Sequence, residues 1–377
     1  MAPNQIVVEN IRKIYNNIQK GKYAPPFENV AGSLQLLVAP KCYLSCSFCT
    51  MYIDGKPSIR PVEDVKADID RWVFLRDIGL LQKMGYLREG NGTTIFLQDG
   101  DVMHVKIDDL VEILDYARKK FGDVSRITSY GIARSILRKK PEDLRRLYES
   151  GLEKVHIGLE SGHPVVLEEI INKKATPDEM VEAGKKIMEA GITLSEYVIL
   201  GIGGKTLSNE HADATAEVLN KINPHYIGMR TLAMNYNTPL YQRVLSGEFD
   251  PIGEIGAIEE QERLIRGLEV TSQVANDHQT NLIYFPYIKF PDFKQGILSE
   301  LREILDLSED KKKRLVVSSR IPMIWQFGFM KEHRRSPTNK EFESVRESLQ
   351  KEGESLLRQS MEEIDRYIFK KTLEIYD

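Results

Sequence analysis

All three cysteines of this 377-residue chain lie within eight positions, as Cys42, Cys46 and Cys49, with the spacing C-x3-C-x2-C. Neighbouring thiolates of this kind can hold a metal ion or an iron–sulfur cluster. A structural zinc site is normally closed by four protein ligands, and the chain has no fourth cysteine. A cluster held by three cysteines keeps one iron open to an exogenous ligand. The spacing therefore favours an iron–sulfur cluster.

Two other interpretations of the cysteines stay open. The three thiols can be unrelated buried residues, because free cysteine often behaves as a small apolar side chain. They can also hold zinc with a distant histidine as the fourth ligand. The next histidine after them is His104, which does not follow at zinc-finger spacing. Chance clustering of all the cysteines is the weaker explanation.

The cysteine segment, with the aromatic Phe48 directly before Cys49, resembles the signature of the radical S-adenosylmethionine (radical SAM) superfamily. The order of the following elements agrees with that family over roughly residues 33–235. The resemblance implies that Cys42 and its two partners bind a 4Fe–4S cluster, and that Phe48 belongs to the cofactor site. The methionine moiety of S-adenosylmethionine (SAM) then chelates the fourth iron. Reduction of the cluster splits SAM and releases a 5′-deoxyadenosyl radical.

Charge, hydropathy and cysteine usage narrow the class of protein. The net charge of −4 gives no broad basic field, so no nucleic-acid partner is expected. No apolar run approaches the ~20 residues that span a bilayer, so we expect no membrane span. So few cysteines, grouped for ligation, are typical of the reducing cytoplasm. The resemblance implies two further partners, a small organic substrate and an electron donor such as flavodoxin or ferredoxin.

Strand-like and helix-like runs alternate through the first two thirds of the chain. Regular alternation predicts an α/β fold with a parallel sheet. We expect a partial (β/α)6 TIM-like barrel with a mainly helical C-terminal extension. The predicted strands are 34–38, 93–97, 126–130, 154–159, 197–200 and 226–232. The predicted domains are an N-terminal helix and loop (1–32), the radical SAM core (33–235), a substrate or lid region (236–337) and an amphipathic helix (338–377).

Carboxylates follow the second predicted strand, in the segment Asp99-Gly100-Asp101. The segment loosely resembles the Gly-Gly-Glu-Pro of radical SAM proteins, which binds the amino group of SAM. A carboxylate suits an ammonium partner through charge-assisted hydrogen bonds. Either Asp99 or Asp101 can fill this role, and an ordinary acidic turn is the alternative.

The ends of the next strands carry further candidates for binding SAM. Glu160 can accept from a ribose hydroxyl or an ammonium group, or it can stabilise the start of the next helix. The resemblance implies that the turn containing Gly201, Gly203 and Gly204 receives the adenine. Arg230 lies in an otherwise apolar strand and needs an anionic or carbonyl partner. That partner can be the SAM carboxylate, a substrate acid, or an acidic residue of the chain.

A polar loop, Asn276 to Asn281, is the candidate for contact with the substrate. Asp277 and His278 are its proposed catalytic residues, because a histidine can donate a proton or bind a carboxylate. An ordinary capping turn is the other interpretation of this loop.

Absent features narrow the reaction further. With no cysteine for an auxiliary cluster, the chain resembles a single-cluster radical SAM enzyme, loosely similar to the coproporphyrinogen-oxidase-like branch. Hydrogen abstraction from an unidentified organic substrate is the first prediction. A radical methyltransferase that uses two SAM molecules is the second. A non-catalytic cluster or cofactor-binding protein, acting as a sensor or haem chaperone, is the third.

Overall fold

The strands of the protein form one sheet. The computed structural model describes residues 3–20, 33–49, 58–83, 92–333 and 336–376. Within them, eight strands lie side by side in the order of the sequence. They are β1 (Ser33–Leu37), β2 (Thr93–Gln98), β3 (Val124–Gly131), β4 (Leu152–Glu160), β5 (Thr193–Leu200), β6 (Tyr226–Thr231), β7 (Gln273–Asn276) and β8 (Phe285–Lys289).

The first four strands pair in parallel, with register shifts between Thr93 and Thr94 and between Ile127 and Thr128. Leu36 of β1 lies opposite Leu97 of β2, Leu97 lies opposite Ser129 of β3, and Ser129 lies opposite Val155 of β4. Parallel neighbours need a crossover connection, and helices are the usual crossover. The predicted α/β architecture is therefore confirmed.

Helices fill the crossovers and continue into the C-terminal region. In the first two thirds of the chain they are α1 (Pro3–Lys20), α2 (Val62–Asp77), α3 (Leu80–Lys83), α4 (Ile107–Phe121), α5 (Ala133–Leu137), α6 (Pro141–Glu149), α7 (Pro177–Glu189) and α8 (Gly204–Ile222). Those that follow are α9 (Pro239–Leu245), α10 (Glu254–Gly267), α11 (Lys294–Leu305), α12 (Glu309–His333), α13 (Asn339–Leu356) and α14 (Met361–Tyr376).

Two strands lie where the sequence predicts none. The region after residue 235 was expected to be mainly helical, but α10 ends at Gly267 and β7 begins at Gln273. The second of these strands, β8, begins at Phe285 and pairs antiparallel with β7. Pro286 lacks an N–H group, and β8 is the last strand of the sheet, where a proline is tolerated.

The segment 338–377 was predicted to be a single amphipathic helix, and the structure differs from this prediction. It contains α13 and α14, which are separated after Leu356. Ser360 and Glu363 form a reciprocal capping pair in which the Glu363 N–H donates to Ser360 Oγ and the Ser360 N–H donates to the Glu363 carboxylate. This pattern starts a new helix because it satisfies two backbone donors that have no partner within the helix.

The chain divides into two compact units. The N-terminal unit comprises Met1–Leu159, Lys173–Tyr197 and Lys221–Gly228, and the C-terminal unit comprises Glu160–Asn172, Val198–Asn220 and Met229–Asp377. In the C-terminal unit, α12, α13 and α14 share an apolar cluster of Val316, Val317, Ile321, Leu356, Ile364 and Ile368. No helix in the described part of the chain is long and apolar enough to cross a bilayer.

Candidate active site

The three cysteines lie together in the loop that leaves β1. Cys42 is buried, whereas Cys46 and Cys49 are half-buried, and none of the three forms a disulfide. They share a small apolar cluster with Leu44 and Ile132. The Cys49 N–H donates to the Cys46 carbonyl over 3.0 Å, so the second and third cysteines occupy one turn. Phe48 lies in the same turn and is half-buried.

Burial strongly affects the Cys42 thiol. It raises the pKa of Cys42 to about 12, although the Leu44 N–H donates to its Sγ over 3.3 Å and favours the thiolate. A thiol with such a pKa keeps its proton at neutral pH. A bound metal removes that proton, because a coordinating thiol is deprotonated outright. The site is therefore suited to a metal that binds thiolate strongly.

The donor set of this loop fits an iron–sulfur cluster. Among the residues that the structure describes, no three histidine, cysteine or acidic side chains converge as a single metal ion requires. Each cysteine of a four-iron cluster binds a different iron, so the three sulfur atoms need not converge on one point. Soft thiolate ligands are also the donors that such clusters use.

Asp101, one of the two candidate carboxylates after β2, uses both oxygens within the N-terminal unit. Ser135 Oγ donates to its Oδ2 over 2.6 Å, and the Ile132 N–H donates to its Oδ1 over 3.2 Å. Burial raises the pKa of Asp101 to about 7, although these hydrogen bonds favour the ionised form. Asp99 is fully buried directly after β2. Asp101 therefore connects the end of β2 to the start of α5.

Ser135, which the sequence analysis did not identify, links that carboxylate to the cysteine loop. Its Oγ lies 3.2 Å from the hydroxyl of Tyr43, the residue after Cys42. The Tyr43 ring also lies against His104, with ring centroids 5.2 Å apart. A serine in a short helix carries no sequence signal for this role. The contact depends on the packing of α5 against the loop.

In the C-terminal unit, Glu160 starts a tight turn. It has φ of 61°, a left-handed conformation that is rare for a residue with a side chain. Two residues later, a Cβ on Gly162 would lie 2.3 Å from the carbonyl oxygen of Ala214 in α8. The Gly162 N–H donates to Thr215 Oγ1 over 2.8 Å. Contact with the backbone of α8 therefore sets the direction in which the chain leaves Glu160.

A buried polar network joins this turn to the end of β5. The fully buried His211 of α8 hydrogen-bonds through Nδ1 to Ser161 Oγ over 2.8 Å. Its Nε2 lies 3.5 Å from Oε1 of Glu260, a buried residue of α10. Glu260 accepts hydrogen bonds from the Gly201 N–H over 2.5 Å and from Ser208 Oγ over 2.6 Å. The sequence analysis did not identify His211 or Glu260.

The glycine-rich turn after β5 requires its glycines. Gly201 has φ of 83° and Gly204 has φ of 62°, a backbone region that favours glycine. A Cβ on Gly203 would lie 3.0 Å from the Leu207 carbonyl oxygen. The turn leads directly into α8, which begins at Gly204. The predicted contact of these residues with adenine stays a prediction.

The candidate loop after β7 is anchored to β6. The Asn281 amide donates to the Met229 carbonyl over 3.0 Å and accepts from the Thr231 N–H over 2.7 Å. The structure therefore brings the polar loop, with Asp277 and His278, to the strand that carries the half-buried Arg230.

His278 is electrically neutral at physiological pH. Burial, with the positive charge of Arg230, lowers its pKa to about 4. The Thr280 N–H donates to His278 Nδ1 over 3.2 Å, so the proton of the neutral ring resides on Nε2. His278 can therefore donate a hydrogen bond from Nε2 but does not provide a positive charge for a carboxylate. Its catalytic role stays a prediction.

The predicted residues fall into two groups. The N-terminal unit holds the cysteines and the Asp99–Asp101 segment, and the hydrogen bonds through Ser135 join these two features. The C-terminal unit holds the other predicted residues, which are Glu160, Gly201, Gly203, Gly204, Arg230, Asp277 and His278. Within that unit, one network connects the Glu160 and Gly201 turns, and a second set of contacts connects Arg230 with His278.

Several solved structures are similar to this chain, all at low sequence identity. The archaeal Elp3 of Methanocaldococcus infernus is 14% identical with a TM-score of 0.45, over 74% of this chain and 65% of that chain. The radical SAM methyltransferase TsrM of Kitasatospora setae is 17% identical with a TM-score of 0.43, over 56% of this chain and 39% of that one. The coproporphyrinogen III oxidase HemN of Escherichia coli is 13% identical with a TM-score of 0.40, over 61% and 58%.

The chain spans less than two thirds of the length of Elp3 and of TsrM. The comparison with curated proteins found no match. The family described as the radical SAM superfamily matches residues 36–219, a span that includes the three cysteines and the strand ends from β2 to β5. Residues 36–219 of this chain therefore belong to the radical SAM superfamily, whose members are generally enzymes.

Proposed function

We propose that this protein is a radical SAM enzyme that abstracts hydrogen from an organic substrate. The observation that carries the proposal is the small cluster that Cys42, Cys46 and Cys49 form with Leu44 and Ile132. Those thiolates would hold the 4Fe–4S cluster. When bound, the cluster would supply the electron for the reductive cleavage of SAM to methionine, and the hydrogen atom removed from the substrate would end in 5′-deoxyadenosine.

The residues of the N-terminal unit supply the environment of the cysteines. Burial of Cys42 excludes water from its thiolate. Asp101 holds the start of α5 through its two hydrogen bonds. Asp99, which is buried directly after β2, and Asp101 are the two candidates for the SAM amino group. The ammonium group of SAM would then pair with a carboxylate through charge-assisted hydrogen bonds.

The predicted contacts with the adenine, the ribose and the substrate all involve residues of the C-terminal unit. Glu260 and His211 orient the turns that contain Gly201 and Glu160, the proposed partners of the adenine and the ribose. Arg230 would bind the SAM carboxylate or an acidic group of the substrate. The loop with Asp277 and His278 would contact the substrate and exclude water, because the radical reacts with any nearby C–H bond.

Anaerobic reconstitution tests the proposal. With iron and sulfide, the full-length protein should take up one four-iron cluster per chain, and with a reductant it should form 5′-deoxyadenosine and methionine from SAM. The Cys46→Ala variant should form neither the cluster nor the products. A Ser45→Ala variant is the matched control, because Ser45 is an exposed neighbour in the same loop.

Two outcomes would contradict parts of the proposal. Stoichiometric zinc uptake without iron would exclude the cluster and with it the reaction. Substrate-dependent formation of S-adenosylhomocysteine together with 5′-deoxyadenosine would identify a radical methyltransferase instead of simple hydrogen abstraction.

A further inference from the structure

The C-terminal unit contains a cavity of about 540 Å³ at the ends of β5 and β6. Its walls come from these strand ends, the connection between α9 and α10, and helices α12 and α14. Protein interiors are close-packed, and their voids seldom exceed the size of a water molecule. Pockets that bind small ligands typically measure about 300–1,000 Å³. The cavity is therefore of the size of a ligand site and is much larger than a packing defect.

The walls of this cavity are mainly apolar. Side chains from β6, from the connection between α9 and α10, and from α14 all line it, and they include Leu232, Met234, Phe249, Ile252, Ile368 and Phe369. A ligand with an apolar body would bury that surface against such a lining, which would favour binding by about 25 cal/mol per Å² of apolar surface buried.

Two ion pairs line the cavity, and within each pair the two opposite charges neutralise each other. The buried Arg320 of α12 binds Glu254 of α10 with two hydrogen bonds, of 2.6 and 2.5 Å. Lys205 of α8 lies 3.0 Å from Asp250. Because each charge has its own partner, neither pair selects a charged ligand.

Asp365 of α14 is different, because it forms no ion pair within the described residues. Its Oδ1 accepts a hydrogen bond from the Glu254 N–H over 3.1 Å, at the N-terminus of α10. It takes the place of a cap there, because Gly253 at the capping position has no side chain. Burial raises the pKa of Asp365 to about 6, so it is ionised at neutral pH. The positive charge of Lys205 acts against this rise. The lining as a whole holds one more carboxylate than cationic side chains, with Asp250, Glu254, Glu362 and Asp365 against Lys205, Arg320 and Arg366. This excess of negative charge favours a cationic ligand.

We propose that this cavity binds a small molecule with an apolar body and a protonated amine that pairs with Asp365. The site is additional to the proposed SAM cleavage and requires no iron. The ammonium group would donate to the carboxylate, while the apolar body would occupy the space against α14 and the end of β6.

Three probes with the same chain and different head groups test the charge preference. We would titrate n-octylamine, octan-1-ol and octanoate into the reconstituted full-length protein at pH 7.5 by isothermal titration calorimetry. Octylamine should bind about tenfold more tightly than either other probe, because hydrogen bonds to charged groups are the stronger ones. Equal affinities, or a preference for octanoate, would overturn the proposed class of ligand.

Variants test the position of the site. Asp365→Asn keeps an acceptor for the Glu254 N–H and should remove the preference for octylamine, whereas Asp310→Asn, an exposed site on α12, should not. Ala233→Phe and Thr372→Phe place a ring in the cavity from two different elements and should each abolish binding. Ser319→Phe, also exposed on α12, is the control. Binding that persists in both filled variants, or no binding of any probe to the wild type, would refute the site.

SAM itself provides the last test, because it is a cation and Gly201 borders the cavity. Saturating SAM should leave the affinity for octylamine unchanged within about twofold. Competition would show that the cavity is part of the SAM site and would overturn the inference of an additional site. SAM cleavage without any octylamine binding would leave the proposed reaction intact, so the two proposals fail separately.

Discussion

Glu260 in α10 accepts a hydrogen bond from the backbone N–H of Gly201, although the two residues are 59 positions apart. The same carboxylate accepts from Ser208 and lies 3.5 Å from His211. Through His211 and Ser161, the contact reaches the turn at Glu160. One acidic residue of the C-terminal extension therefore supports two strand ends that we propose to bind SAM.

Glu260→Gln should change how stability depends on pH. Burial raises the pKa of Glu260 from 4.5 to about 7. Between these values the folded protein retains a proton that the unfolded chain has lost, so its unfolding free energy falls as pH rises. The variant cannot bind this proton. Relative to wild type it should gain stability from pH 4.5 to about 7, by at most ~1.4 kcal/mol per pH unit.

Urea unfolding at pH 5, 6, 7 and 8 measures this difference, which should be constant above pH 7. Burial lowers the pKa of His211 to about 3, which gives the opposite slope below pH 6.5. Both proteins retain His211 and therefore a slope of this sign. Glu259→Gln, at an exposed neighbouring position, should show no such trend. A parallel pH dependence of the wild type and Glu260→Gln would refute the prediction.

Ser135→Ala should weaken SAM binding. The change removes the hydrogen bond to Asp101 and the contact with Tyr43, so the cysteine loop and the end of β2 lose their link. We expect a stability loss of ~1–3 kcal/mol, typical of a buried acceptor left unsatisfied. The dissociation constant of SAM should rise in the reconstituted protein, as measured by equilibrium dialysis.

Tyr43→Phe separates the two contacts of Ser135, because it removes only the hydroxyl next to Ser135. It should retain most of the SAM affinity and stability. Equal SAM affinity in Ser135→Ala and the wild type would show that the link is not needed for binding.

Gly162→Ala should destabilise the protein strongly. Its Cβ would lie 2.3 Å from a backbone oxygen of α8, so the turn after Glu160 must move. Overpacking of this kind typically costs ~1–3 kcal/mol. Gly296→Ala is the matched control, because nothing lies within 4 Å of its Cβ position and it is within α11. It should be neutral or slightly stabilising in thermal unfolding. Similar melting temperatures for the two variants would contradict the steric argument.

Asp277→Ala and His278→Ala should leave the cluster and SAM binding intact and impair turnover of the true substrate. The loop is anchored through Asn281, so neither change removes its attachment to β6. Tyr284→Ala is the control, because Tyr284 belongs to the same connection and is exposed. Measurements of iron content, SAM affinity and turnover distinguish an effect on the cluster, on SAM binding and on the substrate. Full activity of both variants would show that the loop does not act on the substrate.

Much of the core could be predicted from the sequence, because its signals are local. Cys42, Cys46 and Cys49 occupy one loop, so their spacing alone brings the thiols together. The apolar runs of the first six strands have the same origin, since parallel strands covered on both faces need continuous apolar residues. Ile95, Phe96 and Leu97 of β2 are all buried. The break between α13 and α14 was equally local, in Ser360 and Glu363, but the sequence analysis did not identify it.

Only the tertiary structure decided which polar residues act inside the protein. Glu260 belongs to the run Glu259-Glu260-Gln261-Glu262, which resembles an exposed helix face, yet Glu260, Gln261 and Glu262 are buried. Glu260 and Asp365 find their partners 59 and 111 residues away. Sequence patterns report the average environment of a helix face, whereas the pairing of one carboxylate with one distant N–H depends on how the elements pack.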